Sequence, residues 1–570
     1  MATVSTPLLP NQPLFYDWVP KGLGIFMLAL LLFPIMLLNG AYSSNATEMV
    51  AGLGVLAEHI MYASFVSAVG MMMAAPYIMS VSRAFGPRRI YIISLSAMLV
   101  LSLLCGYSRS ILFLAICNFL LGIFRGFALF NTVFCILNQV TGADPIKMMV
   151  TPIDATPEEV KQRNKGRSLL QCVAFCGFLI INQLGAYWTT KIAYEFKWQY
   201  SYWFMAVFVL VGLLLVLCIM RPNHSRRREW RNIEWPPFTQ WISISVFFLS
   251  LTYVFVYGKT YDWLDDNRIA LTIGLGLISF GIFIMQMANG ERLINPKIFK
   301  VKSVQVALVF FMLLMMFNAS SALNAAYMGI AIRMDSVKSA IIGNWQILGF
   351  LIAMVINFIM LKRDVHSRWF FALGLSFMTS SVIYMYFHYQ TMTTYESMIL
   401  PTVLRAIGMY MIYGYCSSYG RNDIDDRNSY GRKDIDSGKQ FCSWIFVMLI
   451  FRGVLGPVGG SVIYSNAIYH RSQNHIVHFT QESDKSNSTV SLKFETAHKM
   501  AMAQGKSYEE ATQIASASIK GAIQQQAILV TLKEITGYTI YAGIIFILLA
   551  LFFPYEKKGP DLLMTAYHKN

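Results

Sequence analysis

Fourteen apolar stretches, each close to the length of a membrane-crossing helix, follow one another along the chain. An α-helix rises 1.5 Å per residue, so about 20 mostly apolar residues cross the ~30 Å hydrocarbon layer. The stretches lie near 22–42, 57–81, 90–107, 111–139, 168–187, 201–220, 237–257 and 269–288, and then near 303–328, 339–361, 369–388, 398–419, 441–466 and 536–553. The fifth holds Gln171, Asn182 and Gln183 and the ninth holds Asn318 and Asn324, so these two are the least apolar. No soluble core absorbs so many such runs. The chain is 56% hydrophobic and only 13% charged, where soluble domains carry roughly 25% charged residues. An all-α polytopic membrane protein is expected. The first run follows neither a basic n-region nor an A-x-A-like cleavage site, so it is expected to be retained.

The net charge of +16 would suggest a nucleic-acid partner in a soluble protein. Here its distribution sets orientation, because Lys and Arg concentrate in cytoplasmic loops. With the N-terminus placed inside, the inside segments carry 29 Lys and Arg and the short outside loops carry 7. The alternation is unbroken over all fourteen runs, so both termini are expected in the cytoplasm and no nucleic acid is expected. The eight cysteines all lie in or beside apolar runs, a pattern of neither a disulfide framework nor a zinc site. No metal and no cofactor is expected.

The chain repeats itself. FLLGIFRGFALF in the fourth run, with Arg125 and Gly126, has a counterpart in LPTVLRAIGMYM of the twelfth, with Arg405 and Gly408. The basic turn SRAFGPRRIYI after the second run has a counterpart in KRDVHSRWFFA after the tenth. The offset is eight runs, which leaves the seventh and eighth inserted between two sets of six. Secondary transporters are often built from such repeats, with substrate near the midplane.

A charge at the bilayer centre costs at least ~2.5–3.5 kcal/mol on insertion scales and marks a candidate functional position. Arg125, Arg405 and Arg452 fall inside runs, and no run holds Asp or Glu in its interior. Each arginine is either a structural group bonded to carbonyls or polar neighbours, or a coupling and gating group. Glu58 and His59, at the outer end of the second run, are by elimination the candidate protonation sites, or else an interfacial pair in water. Asn39, Asn182, Gln183, Asn318 and Asn344 are cavity candidates, with helix–helix hydrogen bonding as the alternative. GVLGPVGG in the thirteenth run places Gly453, Gly456, Pro457, Gly459 and Gly460 where close helix approach and a bend are possible. No clustered catalytic set and no phosphate-binding loop is present, so an enzyme is not expected.

Taken in order, these residues and further motifs resemble the major facilitator superfamily, and within it the fourteen-span EmrB/QacA-type drug:proton antiporters. SVSRAFGPRR, with Arg83, Gly86, Arg88 and Arg89, is similar to that family's basic turn. Arg125-Gly126 resembles its span-four motif, and KWQYSYWF (197–204) its aromatic signature before span six. YGKTYDWLDDNRIALTIG (257–274), ERLINPKIFK (291–300) and QQQAILVTLKEITGY (524–538) are similar to its central loop, its approach to span nine and its entry to span fourteen. There are departures. Span one holds LLNGAYSSNATEMV without an acid, the span-five glycine motif reads INQLGAY (181–187), and Arg83 stands near the basic turn's usual Asp.

The resemblance implies a cytoplasmic tail (1–21), a six-helix bundle (22–220), two linker helices (237–288), a second six-helix bundle (303–553) and a cytoplasmic tail (554–570). It also implies export of small amphipathic or hydrophobic compounds across the cell inner membrane by alternating access, coupled to protons. The runners-up are a carrier for an endogenous metabolite and, from another class, a polytopic enzyme or sensor. The periplasmic segment 467–535 opens a helix near residue 507, where Ser507 and Glu510 have capping-box spacing. In such relatives this segment faces a periplasmic membrane-fusion adaptor leading to an outer-membrane channel. The segments GRNDID (420–425) and GRKDID (431–436) read as a solvated turn, since the calcium-loop spacing is missing.

Overall fold

In a computed structural model, residues 14–141, 157–222, 235–290, 292–390, 394–429, 437–482 and 488–555 are described. Within them the chain is helical, with no strand and one isolated bridge between Phe15 and Met220. The helices are α1 (Lys21–Ser44), α2 (Ala46–Leu53), α3 (Ala57–Ala74), α4 (Ile78–Ala84), α5 (Pro87–Tyr107), α6 (Ile111–Thr141), α7 (Pro157–Glu195) and α8 (Trp198–Ile219). A hairpin of α9 (Phe238–Tyr257) and α10 (Asn267–Asn289) follows. Next come α11 (Lys302–Asn318), α12 (Ser321–Ala326), α13 (Ser336–Asn344), α14 (Gln346–Lys362), α15 (Ser367–His388) and α16 (Ile399–Ser429). The last are α17 (Ser437–Leu449), α18 (Gly456–Glu482), α19 (Ser488–Ala503) and α20 (Tyr508–Phe552).

Thirteen helices among the described residues are long and apolar enough to cross a membrane. The first helix, α1, is 24 residues long, of which Lys21–Met36 form its described apolar part. This is a multi-pass membrane protein.

Three sequence expectations are corrected. In the segment 467–535, expected as a periplasmic loop with a helix from about residue 507, the chain up to Glu482 and Ser488–Ala503 is helical as well. Helix α18 runs to Glu482, α19 packs on α20, and α20 is a single 45-residue helix. The capping box that starts it is present, with Ser507 and Glu510 each bonding the other's backbone N–H at 3.3 Å. Secondly, the first copy of the acidic repeat lies within α16, which continues to Ser429; residues 431–436 lie outside the described residues. Thirdly, the ninth and tenth spans are interrupted. A break at Ala319–Ser320 separates α11 from α12, and a break at Trp345 separates α13 from α14. Asn and Ser side chains compete for backbone groups, which weakens a helix where they cluster; Asn318-Ala-Ser-Ser321 is such a cluster.

Two cores organise the packing. One joins α1, α5, α6 and α8 through buried residues such as Leu28, Tyr91, Leu121 and Met205. The other joins α11, α14, α15, α16 and α17 through Phe310, Phe371, Tyr410 and Phe446. Both are sealed by close helix approach rather than by water exclusion alone. In the first, α3 and α6 meet at Gly70 and Gly122, where an added Cβ would strike the carbonyl oxygens of Phe119 and Ser67. Lipid-side residues such as Leu271 (73% exposed) and Ile278 (67%) leave α10 as an apolar outer surface, as a bilayer requires.

The segments expected on each side meet among themselves. Segments expected inside meet one another: Asp17 pairs with Arg221 at 3.5 Å, Arg88 donates to the Leu217 carbonyl at 3.0 Å, and Lys165 pairs with Asp364 at 2.9 Å. Tyr77 reaches the Pro236 carbonyl and the Asn295 N–H reaches Ser443 Oγ. Segments expected outside also meet one another: Asn45 bonds Ser201, Lys259 sits 4.4 Å over the Tyr469 ring, and Gln525 donates to the Ala331 carbonyl. The described parts of these segments therefore lie at two opposite groups of helix ends, one of which carries Arg88, Lys165 and Arg221.

Candidate functional site

A cavity of about 440 Å³ lies in the second half of the chain, where three spans lose regular geometry together. Its wall holds Asn318, Ser321 and Asn324 from the ninth span, Gly343 and Gln346 from the tenth, Thr402 and Arg405 from α16, and Pro457 and Ser461 from α18. Residue Pro457 follows a turn of π-helix, Ile450–Leu455, set between α17 and α18. Such turns interrupt the regular backbone ladder and often occur at functional positions. Backbone irregularity at membrane depth is tolerated where it lines a cavity or is buried in protein.

Arg405 holds the break in the ninth span. Its Nη2 donates to the Asn318 carbonyl at 2.6 Å and to Ser320 Oγ at 2.7 Å, and its Nε donates to Asn318 Oδ1 at 3.3 Å. The carbonyls at a helix C-terminus carry partial negative charge, so a cation there is favourable. The guanidinium thus replaces the hydrogen bonds that the missing turn would have made. No carboxylate pairs with Arg405, Arg125 or Arg452 among the described residues.

The second cluster joins the two halves. Arg452, in the π-turn, lies 4.3 Å from the Tyr413 ring and 5.9 Å from the Phe175 ring. Those two rings stack 4.3 Å apart with 13° between their planes. Tyr410, one turn away, donates to the Cys172 carbonyl at 2.5 Å. A cation over aromatic faces gains ~0.5–2 kcal/mol when desolvated, so Arg452 needs no carboxylate to be tolerated here. Arg125 is close enough to interact with the Arg452 charge. It is 4% exposed, and its Nε has no hydrogen-bond partner.

Glu58 and His59, in the first turn of α3, lie against a tyrosine cluster. The His59 ring meets Tyr257 edge-on at 5.3 Å, and the rings of Tyr62, Tyr253, Tyr257 and Tyr261 contact one another, with Tyr257 and Tyr261 stacked. The Nδ1 of His59 is buried without a partner.

The structure unites Arg405, Asn318 and Pro457 in one cavity, and it brings Arg125 near Arg452. It places Gln183 against Gly343, whose Cβ position is 2.8 Å from Gln183 Nε2, so the first half touches the cavity wall. Asn344 does not line the cavity, and its Oδ1 is buried without a partner; Asn182 is half-buried outside it. The side chains of Asn39 and Arg83 lie outside the described residues. Gly86 caps α5, Arg88 bonds the end of α8, and Arg89 is exposed. Of the glycine motif, Gly456 and Gly460 abut Met315 and Ala319, Gly453 faces Ala68, and Gly459 is open.

Sequence reading missed Phe175, Tyr413 and Thr402. Only the tyrosines left a trace: Tyr253, Tyr257 and Tyr261 recur at four-residue spacing, and Tyr410 and Tyr413 at three, both helical intervals.

Among solved structures, the chain is similar to the nucleoside transporter NupG, at 11% identity over 93% of this chain and 99% of that one, with a TM-score of 0.47. It is also similar to the human organic anion transporter MFSD10 (TETRAN), at 12% identity over 78% of this chain and 94% of that one, with a TM-score of 0.42. No protein-family model and no curated protein matches the chain.

Proposed function

We propose that this protein is a secondary active transporter of the major facilitator type. In this reading it exports small amphipathic or hydrophobic compounds across the cell inner membrane by alternating access, driven by protons. The observation that carries the reading is the cavity at the breaks of the ninth, tenth and thirteenth spans, with an intramembrane arginine in its wall. Discontinuous helices facing a midplane site are how carriers present backbone and charge to a solute without exposing them to lipid.

The two halves are 22–220 and 303–553, with 237–288 as the added pair and both termini cytoplasmic. They rock about contacts that are individually weak. Lys165–Asp364 is exposed, a class of pair worth ~0–1 kcal/mol, and the Arg452 stack adds ~0.5–2 kcal/mol. Such contacts can be exchanged in each cycle. Glu58 and His59 are the proposed proton carriers. The outer helices after residue 467 are the proposed docking side for a periplasmic adaptor and outer-membrane channel.

Dye accumulation in cells with and without the gene, and with and without a protonophore, tests export and its coupling. Unchanged accumulation for every compound tried would sink the export reading. Cross-linking of Lys165→Cys with Asp364→Cys by a short reductant-cleavable bis-methanethiosulfonate, in a Cys218→Ser background, is expected to arrest transport until a reductant is added. Full transport by the cross-linked protein would exclude rocking of the halves.

A further inference from the structure

The cavity beside Arg405 is rich in donors and has no acid in its wall. Arg405 uses Nε and Nη2 to hold the ninth span, and its Nη1 has no hydrogen bond to protein among the described residues. A guanidinium has five N–H donors, so two remain, on a residue that lines the cavity. The two asparagines point the same way chemically. Asn318 Oδ1 accepts from Arg405, and Asn324 Oδ1 accepts from Tyr389 at 2.8 Å. With their oxygens engaged, both present amide N–H groups. The wall also holds neutral polar groups, Ser321, Ser339, Gln346, Thr402 and Ser461, and an apolar part that includes Met315, Met328 and Ile342.

We propose that this cavity binds an amphipathic monoanion, its carboxylate paired with the Nη1 edge of Arg405 and its apolar body against the methionines. This deepens the transport reading by naming the charge class of the solute, and it rests on that reading only for the word substrate. A uniformly cationic intramembrane field, from Arg125, Arg405 and Arg452 without a carboxylate, favours anions and disfavours cations. A neutral solute would give the Nη1 donors an uncharged acceptor or none in a desolvated site, which is less favourable.

Binding to the purified full-length protein in detergent tests this, using three probes of one skeleton: 1-naphthoate, 1-naphthamide and 1-naphthylmethylammonium. Naphthoate is expected to bind saturably, the amide about tenfold more weakly for want of a charge-assisted bond, and the ammonium not at all. Replacing Arg405 would also disturb the span-nine break, so the decisive variant is Thr402→Glu. It sets a carboxylate three residues before Arg405 on the same helix face and leaves the Arg405 bonds in place. Thr402→Glu is expected to bind naphthoate about tenfold or more weakly than Thr402→Gln, which adds the same bulk without the charge, and to weaken naphthoate more than the amide.

Wild-type-like naphthoate binding by Thr402→Glu, equal binding of the three probes, preference for the ammonium, or no naphthoate binding would each overturn the assignment. Phosphatidylglycerol is expected not to displace naphthoate; displacement would assign the site to a lipid headgroup and overturn the solute. Naphthoate binding without flux in proteoliposomes would remove the transport reading and leave the anion site. Flux of the amide or ammonium without naphthoate binding would do the reverse.

Discussion

Arg405 and Asn318, 87 residues apart in sequence, are joined twice, through the Asn318 carbonyl at 2.6 Å and its side-chain oxygen at 3.3 Å. The first bond satisfies a carbonyl left open by the break between α11 and α12. Replacing Arg405 with Ala is expected to cost ~1–3 kcal/mol, the penalty of an unsatisfied buried acceptor, seen as a lower melting temperature in detergent. Arg405→Lys should recover part of the loss through a single donor. A wild-type melting curve for Arg405→Ala would show that the bond does not hold the break.

Arg125 makes the opposite prediction. It is buried, its Nε is unpartnered, and a second cation lies nearby. An uncompensated buried charge destabilises the fold, so Arg125→Met is expected to raise the melting temperature. Transport should fall at least about tenfold, equivalent to ~1.4 kcal/mol on the barrier. A purely structural arginine would give a less stable protein, and that result would remove Arg125 from the mechanism.

Tyr413 presents a ring face to Arg452, and its hydroxyl is buried without a partner. Tyr413→Phe keeps the face and removes the unpaired group, so stability should hold or rise slightly. Tyr413→Leu should lose ~0.5–2 kcal/mol. A double-mutant cycle with Arg452→Met measures the coupling, and a coupling near zero would refute the cation–aromatic contact.

The contact of α3 with α6 predicts a sharp contrast between two glycines. A Cβ at Gly122 would collide with the Ser67 carbonyl, whereas one at Gly177 in α7 meets nothing within 4 Å. Gly122→Ala is expected to destabilise by ~1–3 kcal/mol or more, as overpacking does. Gly177→Ala should gain up to ~1 kcal/mol from helix propensity. Equal effects on thermal unfolding would contradict the close approach.

His366 caps α15 at the basic end, its Nδ1 accepting the Arg368 N–H at 3.3 Å. Burial and the Arg368 charge hold its pKa below the ordinary histidine value of 6.5. The folded protein therefore binds fewer protons here than the unfolded chain does, and stability increases with pH across that window. The cap is expected to be intact above pH 6.5 and lost as pH falls through the lowered folded value. Hydrogen exchange at the Arg368 amide against pH, compared with His366→Asn, checks this; an amide whose protection is flat from pH 7 to pH 5 would refute it.

Periodicity and charge made most of the architecture legible. Fourteen runs of the right length, with Lys and Arg concentrated in alternate loops, leave helices as the only way to satisfy the backbone in lipid. The same pattern located Arg125, Arg405 and Arg452, because an ionised group inside an apolar run stands out on a one-dimensional reading. Ser507 with Glu510 was legible too, since a capping box is a local contact three residues long.

What the sequence could not give is who meets whom across the bundle. Whether Arg405 faces a carboxylate, a carbonyl or lipid depends on which residues of the ninth span arrive beside it, and Asn318 is 87 positions away. Phe175, Tyr413 and Arg452 come from three separate helices, and nothing in their spacing marks them as a stack. The cavity is further removed still, because it is formed by turns that helices fail to complete. A hydropathy pattern records that a segment is apolar enough to cross; the tertiary packing decides where its backbone breaks and which side chain makes good the lost bonds.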